Sequence, residues 1–426
     1  MSRSIFKGHI LFTPTKDEFT IYEDSYLIVE DGKVKGIYDN LDNSFEDYEI
    51  KDLSGKLIIP GFVDLHLHAP QYPNRGLGLD KELIPWLNHY TFPEEGKYVD
   101  LDYSKEVFKH LINDLWRMGT TRAVVFSSIF KESTKLLMDM FIESGLGAYV
   151  GKVNMDQNTL KGLKEDTISS LMDTEEILNE YKDKSDLVKP IITPRFIPTC
   201  SEELLRGLGE LAKKYRVRVQ SHLNENTDEV IWVKKLYPDS ENYASIYNYF
   251  ELFGQTPTIM AHCIYNSEDE LKLMAEKKVF IAHCPDSNFN LSSGIMPARK
   301  YLDVGIPIGL ATDISGGHSL SMARIMVSAI QGSKIVWLQS DKKYAPLTIS
   351  EAFYLGTKGS GSFFGNVGSF EEGYDFDALI IDDSSLECGN NLSLKERLER
   401  FIYIGDDRNI VERYVRGEKI NRPYEV

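Results

Sequence analysis

The sequence predicts an α/β protein with a closed (β/α)8 barrel of the TIM type at its centre. From about residue 61, short apolar segments of strand length alternate with amphipathic segments of helix length. These strand segments are almost continuously apolar, which is typical of parallel strands buried on both faces. Their number is eight, which favours a closed barrel over an open doubly wound sheet, the alternative that the pattern leaves open.

The eight predicted strands follow one another along the chain. They are FVDLHLH (62–68), RAVVFSSI (122–129), GAYVGKVN (147–154), VKPIITPRF (188–196), VRVQSHLN (217–224), PTIMAHCI (257–264), VFIAHCPD (279–286) and PIGLATDI (307–314).

Helix signals lie between the predicted strands. Apolar residues recur at spacings of three and four from Val107 to Trp116, which predicts an amphipathic helix that ends near Gly119. Ser267 and Thr348 are each followed three residues later by glutamate, the pattern of a capping box at a helix start.

Both ends of the chain have a β-strand pattern that lies outside the barrel. Asp31-Gly32 between alternating apolar residues predicts a hairpin, and Arg416-Gly417 predicts a turn near the C-terminus. We therefore expect the two ends to form one β-domain beside the barrel. The predicted boundaries are 1–60 for its N-terminal part, 61–364 for the barrel and 365–426 for its C-terminal part.

Composition narrows the function classes. With 48 Lys and Arg against 65 Asp and Glu, the net charge of -17 disfavours binding to nucleic acid or to an anionic membrane surface. The four cysteines are too few and too scattered to form a disulfide framework, which favours a reducing compartment. No apolar segment has the length of a signal peptide or a membrane span, so we expect a cytoplasmic protein.

His66 and His68 are two residues apart, so both point to the same side of a strand and can bind one metal ion. This pair is weak evidence alone, but other polar residues lie at or near the C-terminal ends of further predicted strands. They are Arg195, His222, His262, His283 and Asp313, and the loop residue His318 follows. Because strand C-termini meet at one face of a barrel, where active sites form, these residues predict one pocket.

Four of these residues are the candidate metal ligands. Three imidazoles and a carboxylate suit Zn²⁺ or a similar divalent ion, and an open position for water makes a catalytic site. The alternative is a set of hydrogen-bonded core residues, which would leave buried imidazoles needing other partners. The predicted ligands are His66, His68, His222 and Asp313.

Glu225 lies three residues after His222, just beyond the predicted strand end. A carboxylate beside a metal site suits proton transfer between water and a leaving group. The alternative is an acidic residue that stabilises a helix N-terminus.

Two His-Cys pairs, at 262–263 and 283–284, resemble parts of a zinc site. If each histidine points into the barrel, the following cysteine points outward, because neighbouring strand residues face opposite ways. The C-x-x-C motif of the cytidine-deaminase type of zinc site is absent from the sequence.

Several segments resemble the guanine deaminase family of the amidohydrolase superfamily. They are PGFVDLHLHAPQY, HYTFPEE, TPRF, QSHLNEN, MAHC, AHCPDSN and GLATDISGG. The resemblance runs from near residue 56 to FIYIGDDRNIVERYV, and HAPQY, HYTFPEE and TPRF are its most specific parts. It implies a (β/α)8 barrel with a small β-sandwich domain formed by both termini, one zinc ion, hydrolysis of guanine to xanthine and ammonia, and a homodimer.

The same resemblance implies roles for individual residues. The zinc ligands fall on the four residues chosen above and the catalytic glutamate on Glu225. The catalytic residues that hold the water for attack fall on His262 and Asp313. The implied substrate contacts are His68, Ala69, Pro70, Gln71, Arg195, Phe196, His222, Glu225 and Asp313.

Two departures from the family pattern are Pro70 and the pair Leu223-Asn224. Neither removes a ligand or proton carrier, but Asn224 could change how its loop closes on substrate. Two-metal members of the superfamily have a carboxylated lysine at the end of strand four. Here Arg195 occupies that end, so one metal is expected.

Arg195 and Gln71 distinguish the expected substrate from its rivals. A planar guanidinium and an amide together match the acceptor-rich edge of a purine. A cytosine or chlorotriazine deaminase would keep the metal ligands but lack this pair, and a non-catalytic scaffold would have lost ligands or the glutamate.

Overall fold

The computed structural model of the protein describes residues 3–389 and 391–425. Residues 1, 2, 390 and 426, which belong to the predicted terminal units, lie outside the described part. The described strands are β1 Arg3–Phe12, β2 Thr20–Glu30, β3 Lys33–Tyr38, β4 Glu49–Pro60, β5 Phe62–His68, β6 Thr120–Phe126, β7 Gly147–Gly151, β8 Val153–Asn154, β9 Val188–Pro190, β10 Thr193–Pro194, β11 Val219–Leu223, β12 Thr258–His262, β13 Phe280–His283, β14 Ile308–Leu310, β15 Ala378–Ile381, β16 Ile410–Val415 and β17 Glu418–Lys419.

The α-helices surround the barrel or cover its ends. They are α1 Leu83–Trp86, α2 Phe92–Glu95, α3 Leu101–Arg117, α4 Lys131–Ser144, α5 Thr167–Tyr181, α6 Glu202–Tyr215, α7 Thr227–Leu236, α8 Tyr243–Tyr249, α9 Glu268–Lys277, α10 Pro285–Asn290, α11 Ala298–Val304, α12 Met322–Gln339, α13 Ile349–Tyr354 and α14 Leu394–Ile404. None of these helices combines the length and the apolar character needed to cross a membrane.

The strands from β5 to β14 form a closed parallel barrel. Two four-stranded sheets, β5-β6-β7-β9 and β11-β12-β13-β14, contain the eight predicted strands, and the short pair β8 and β10 extends two of them. Backbone hydrogen bonds join the sheets on one side, where Gln220 N donates to Ile192 O at 2.9 Å. On the other side Asp313 N donates to His66 O at 2.8 Å. The ring is therefore closed, and the open doubly wound alternative is wrong.

Local sequence signals explain where individual helices begin and end. The side chain of Asp100 accepts hydrogen bonds from the first turn of α3, and Gly119 follows this helix with a φ of +81°. Ser267 and Thr348 each form a complete capping box, as predicted. The amphipathic helix α3 buries its apolar face, including Val107, against the barrel.

Strands from both termini pair in one sheet, here called the terminal sheet, with the order β17-β16-β15-β4-β1-β2-β3. The β2–β3 connection has left-handed backbone at Asp31 and Gly32, with φ of +48° and +77°, which matches the twist of a tight hairpin. Arg416 and Gly417 repeat this geometry between β16 and β17. The expected β-domain built from both ends is confirmed.

The two faces of the terminal sheet pack against different apolar clusters. One face encloses its own aromatic cluster, in which the rings of Phe6 and Phe376 have centroids 4.5 Å apart. Residues of the other face, including Leu57 and Leu379, belong to the large apolar core shared with the barrel helices. The sheet is therefore held against the barrel by apolar contacts as well as by the chain connection.

A buried ion network lies where the barrel meets the terminal sheet. Arg122 of β6 is 3% exposed, and its Nε lies 2.6 Å from Asp377 Oδ2. Its Nη2 lies 3.2 Å from Asp375 Oδ2, which also pairs with Arg416 Nε at 2.8 Å. The network links the second barrel strand to the C-terminal part of the sheet.

Candidate active site

The H-x-H pair lies at the C-terminal end of β5. The rings of His66 and His68 have centroids 4.8 Å apart, and both side chains are buried. The buried carboxylate of Asp64 accepts hydrogen bonds from the backbone N–H groups of His66 and Thr312 and so ties β5 to the end of the last barrel strand. The prediction that both imidazoles face one side is confirmed.

The other two predicted ligands reach the same point from distant parts of the chain. His222 is the penultimate residue of β11, and its Nε2 lies 3.1 Å from His68 Nε2. Asp313 follows β14, and its Oδ1 lies 3.3 Å from His66 Nε2 and 3.6 Å from His68 Nε2. We call these four residues the metal cluster.

The protonation of the metal cluster fits a bound cation. His222 Nδ1 lies 2.6 Å from the carbonyl oxygen of Arg195, which can only accept, so Nδ1 carries the proton and Nε2 presents a lone pair. Burial, aided by neighbouring histidines, lowers the pKa of both His68 and His222 well below the ordinary value. His66 Nε2 is buried and forms no hydrogen bond with the described residues. Three imidazole nitrogens and one carboxylate match the ligands of a borderline divalent ion.

Glu225 and His262 lie beside the metal cluster. His262 Nε2 is 3.5 Å from Glu225 Oε2 and 3.7 Å from Asp313 Oδ2, while its Nδ1 lies 2.9 Å from Asn288 Oδ1. Burial, together with the charges of Glu229 and Asp313, raises the pKa of Glu225 well above the ordinary value. A buried carboxyl with a raised pKa, close to a metal site, is suited to taking up and releasing a proton.

Three residues at the strand ends have left-handed backbone. The φ angles are +52° for Asn224, +71° for His262 and +46° for Asp313. Such conformations cost about 1–3 kcal/mol each and cluster at functional sites. Ile259 and Ala261 belong to the interior cluster of the barrel, so strict alternation would turn His262 outward. The left-handed turn brings it inward.

His68, His222 and Asp313 of the metal cluster form the floor of a cleft, whose empty volume is about 430 Å³ when space open to solvent is counted. Apolar side chains form much of its wall, and they are Leu83, Trp86, Leu87, Phe196 and Leu291. Gln71 and Arg195 add polar groups, whereas Ala69 and Pro70 do not line the cleft but form the turn that presents Gln71. A narrow slot with a few polar groups on one edge is suited to a planar polar ring.

Comparison with known proteins identifies the family, because a model described as "Amidohydrolase family" matches residues 57–420. The chain belongs to the amidohydrolase family. The guanine deaminase of Dictyostelium discoideum is 38% identical, with 98% of each chain covered. That of Rattus norvegicus is 37% identical, with 98% of this chain and 96% of the relative covered. The crystal structure of guanine deaminase from C. acetobutylicum with bound guanine in the active site has a TM-score of 0.97 at 56% identity, covering 99% of this chain and 100% of the other.

The sequence expectations for His283 and Cys284 of this amidohydrolase are both wrong. Cys284 was expected to point outward, but it belongs to the interior cluster of the barrel, and its thiol lies near His262 and Asp313. Ala282 also faces inward, so alternation along β13 turns His283 away from the cleft. Cys263 does point outward into the helix-facing core, as expected.

Two loop residues of the amidohydrolase lie away from the cleft floor. His318 is 54% exposed, with Nδ1 3.7 Å from Asp286 Oδ2. Asn224 turns its amide toward Glu270, and Nδ2 donates to Oε1 at 3.0 Å. This departure from the family pattern therefore supports the loop from outside and does not enter the cleft.

Sequence reasoning missed two glutamates that support this amidohydrolase site. Glu229 Oε2 accepts hydrogen bonds from the backbone of Glu225 at 2.8 Å and of Asn226 at 3.2 Å. The Asn226-x-x-Glu229 spacing is a capping-box signal that could have revealed it. Glu95 contacts Gln71 and Arg195, and its only signal was its place in HYTFPEE.

Proposed function

We propose that this amidohydrolase hydrolyses guanine to xanthine and ammonia, using one Zn²⁺ per chain. The single observation that carries the proposal is a cleft that combines three elements within reach of one small ring. They are the metal cluster, the buried carboxyl of Glu225, and a polar edge made by Arg195 and Gln71.

The metal cluster would hold the ion through His66, His68, His222 and Asp313. Zinc in such a site acts as a Lewis acid and makes water a nucleophile at neutral pH. We propose a single ion, because Arg195 and not a lysine ends the fourth strand. The Arg195 guanidinium is itself a cation with no acceptor atom, so it cannot bridge a second metal ion, and it pairs with Glu95 instead.

Glu225 carries the proton in the proposed reaction. Its carboxylate accepts a proton from the attacking water as the water oxygen bonds to C2 of guanine. It then delivers that proton to a ring nitrogen. The remaining proton of the added hydroxyl group passes to the 2-amino group, which leaves as ammonia as the C2 carbonyl forms. His262 and Asp313, 3.7 Å apart at Nε2 and Oδ2, orient the attacking water from the other side. Burial and the nearby carboxylates of Glu229 and Asp313 raise the pKa of Glu225, which makes its carboxylate a stronger acceptor for the proton of the water.

Arg195 and Gln71 recognise the substrate. The guanidinium donates to the carbonyl oxygen of the base, which adenine lacks. Leu83, Trp86 and Phe196 enclose the faces of the ring. Buried donors that meet no acceptor make an incorrect base costly to bind, so the site rejects adenine.

Ammonia release from guanine tests this proposal, with adenine and cytosine as controls. We expect release from guanine alone, and loss of release after chelation that returns when Zn²⁺ is added. Equal release from cytosine would support the related base deaminase, which the Arg195 and Gln71 pair disfavours. No release from any base by the metal-loaded protein would overturn the proposal.

Assembly and location are proposed on other grounds. The resemblance to the guanine deaminase family supports a homodimer, and the net charge of -17 disfavours a nucleic-acid or membrane-surface partner. The scattered cysteines support a cytoplasmic location. Light scattering after size-exclusion chromatography tests the dimer, and the boundaries 1–60, 61–364 and 365–426 remain our proposed domain limits.

A further inference from the structure

Glu95 lies beneath the polar edge of the cleft without lining it. This residue ends α2 and is 5% exposed. One carboxylate oxygen, Oε1, lies 3.0 Å from Gln71 Nε2, and the other, Oε2, lies 2.6 Å from Arg195 Nη1. Glu95 therefore bridges the two side chains that we propose to contact the base.

This bridge determines which atoms Gln71 and Arg195 present to a ligand. A carboxylate paired with a guanidinium can only accept hydrogen bonds, so Gln71 must turn its NH₂ group toward Glu95. Its Oε1 is then left for the cleft, and no described residue donates to it. Arg195 donates one N–H group to Glu95, and its remaining N–H groups form no hydrogen bonds with the described residues. The guanidinium also lies over the Phe92 ring, 5.1 Å from its centroid.

The resulting edge places one acceptor beside a group of donors. Its complement is a ring edge that presents an N–H next to a carbonyl oxygen, which is the lactam edge of a 6-oxopurine. Adenine presents the opposite pattern, with a bare ring nitrogen beside an amino group. We propose that Glu95 is a positioning residue that makes the cleft specific for the lactam form of the purine, an inference that rests on the proposed function.

The variant Glu95→Gln should discriminate less between a 6-oxopurine and adenine. The new amide can donate as well as accept, so it no longer forces Gln71 to turn its NH₂ group away from the cleft. Gln71 can then present a donor to the bare ring nitrogen of adenine, and Arg195 loses its ion pair. Selectivity should fall more than the ability to bind a purine.

Glu94 provides a matched control on the same helix. It is equally buried at 5% exposure, but its carboxylate contacts Lys97 Nζ at 2.5 Å and the hydroxyl of Tyr103, away from the cleft. Glu94→Gln removes the same charge one residue earlier. It should leave base selectivity unchanged, even if both variants unfold at a lower temperature.

The test uses hypoxanthine and adenine, which share a ring without the 2-amino group and differ only at the edge that Glu95 is proposed to control. Their dissociation constants are measured by calorimetry on the metal-loaded native protein and both variants. We expect the native protein to prefer hypoxanthine by at least 100-fold, Glu95→Gln to reduce that preference at least 10-fold, and Glu94→Gln to retain it. For guanine turnover, Glu95→Gln should raise KM more than it lowers kcat.

The outcomes separate this inference from the proposed function. If the native protein releases ammonia from guanine but Glu95→Gln keeps the full hypoxanthine preference, Glu95 is not the positioning residue. An equal loss of preference in Glu94→Gln would also overturn the inference, because the effect would then be a general one of lost charge. If the native protein releases no ammonia from guanine, the proposed function fails whatever the variants bind.

Discussion

Glu225 could act as a proton carrier or as a metal ligand, and these two roles predict different metal contents when the residue is replaced. It lies 3.5 Å from His262 and is not one of the four residues of the metal cluster. Glu225→Gln should therefore keep its metal and still bind purine, because the amide occupies nearly the same volume. General acid-base catalysis contributes about 10²- to 10⁴-fold, so kcat should fall by at least that order. Metal analysis and steady-state kinetics on one sample check this, and a variant that loses its metal would show that Glu225 is a ligand.

His66 provides a second test, with His283 as its control. His66→Ala should lose metal and activity together, because it removes one of the nitrogens that converge with Asp313. His283 is just as buried, but β13 turns it away from the cleft. The variant His283→Gln should therefore bind as much metal as the native protein. Elemental analysis should give about one ion per native chain. Two tightly bound ions, with activity following the second, would contradict the single-metal site.

Sequence patterns predicted the direction of residues that lie on regular strands. They did not predict the direction of residues at which the backbone departs from strand geometry. His66 and His68 lie two apart on a regular strand end, so their shared direction follows from spacing alone. His262 faces the cleft only because of its left-handed backbone, and only the family resemblance anticipated its role. The prediction for Cys284 was wrong because strand alternation was applied with His283 facing inward, whereas Cys284 is the residue that does so.

At the scale of whole elements, all eight predicted barrel strands are present, but several predicted strand ends extend too far. The last one was predicted over 307–314, whereas β14 covers Ile308–Leu310. The residues after it, including Asp313, curve away from strand geometry to reach the metal cluster. Apolar composition predicts burial, and it does not distinguish a buried strand from the buried turn that follows it.

Glu95 and Glu229 could not be predicted in their roles for a different reason. Glu95 forms a hydrogen bond with Arg195, which lies on another element. Glu229 accepts a hydrogen bond from Glu225, in the loop just before its own helix. The HYTFPEE segment carried a family resemblance but no periodicity that places its last residue beneath Arg195. Such contacts depend on how α2 packs over the barrel mouth.

The strand β16 provides a test of pH dependence in the terminal sheet. Partial burial alone would raise the pKa of Glu412, but hydrogen bonds from Lys51, Tyr414 and Lys419 lower it to about 2. A lowered pKa in the folded state stabilises the protein above the ordinary value near 4.5, and this contribution is lost as pH falls from about 4.5 toward 2.

We therefore expect the urea midpoint of the native protein to fall more steeply between pH 5 and pH 3 than that of Glu412→Gln. Both proteins carry the other titrating groups, so the difference in slope isolates Glu412. Parallel slopes would show that its ion pairs with Lys51 and Lys419 add nothing to stability.

Arg122 tests how the barrel and the terminal sheet depend on each other across the whole molecule. Arg122→Met should leave the buried carboxylate of Asp377 without its guanidinium, and loss of one partner of a buried pair costs about 3–5 kcal/mol. Arg408→Met is the control, because Arg408 pairs with Asp406 while 86% exposed, and exposed pairs contribute about 0–1 kcal/mol. Urea unfolding of both variants measures the difference, and similar midpoints would show that the junction network does not stabilise the molecule.

Closure of the barrel between its first and last strands also constrains the protein while the ribosome makes it. Asp64 and Thr312, which pair at this closure, are 248 residues apart. At about 5–20 residues per second, His66 emerges roughly 12 to 50 s before Asp313. A nascent chain therefore carries His66 and His68 exposed, and free to capture any available metal, long before the carboxylate that completes the cluster exists.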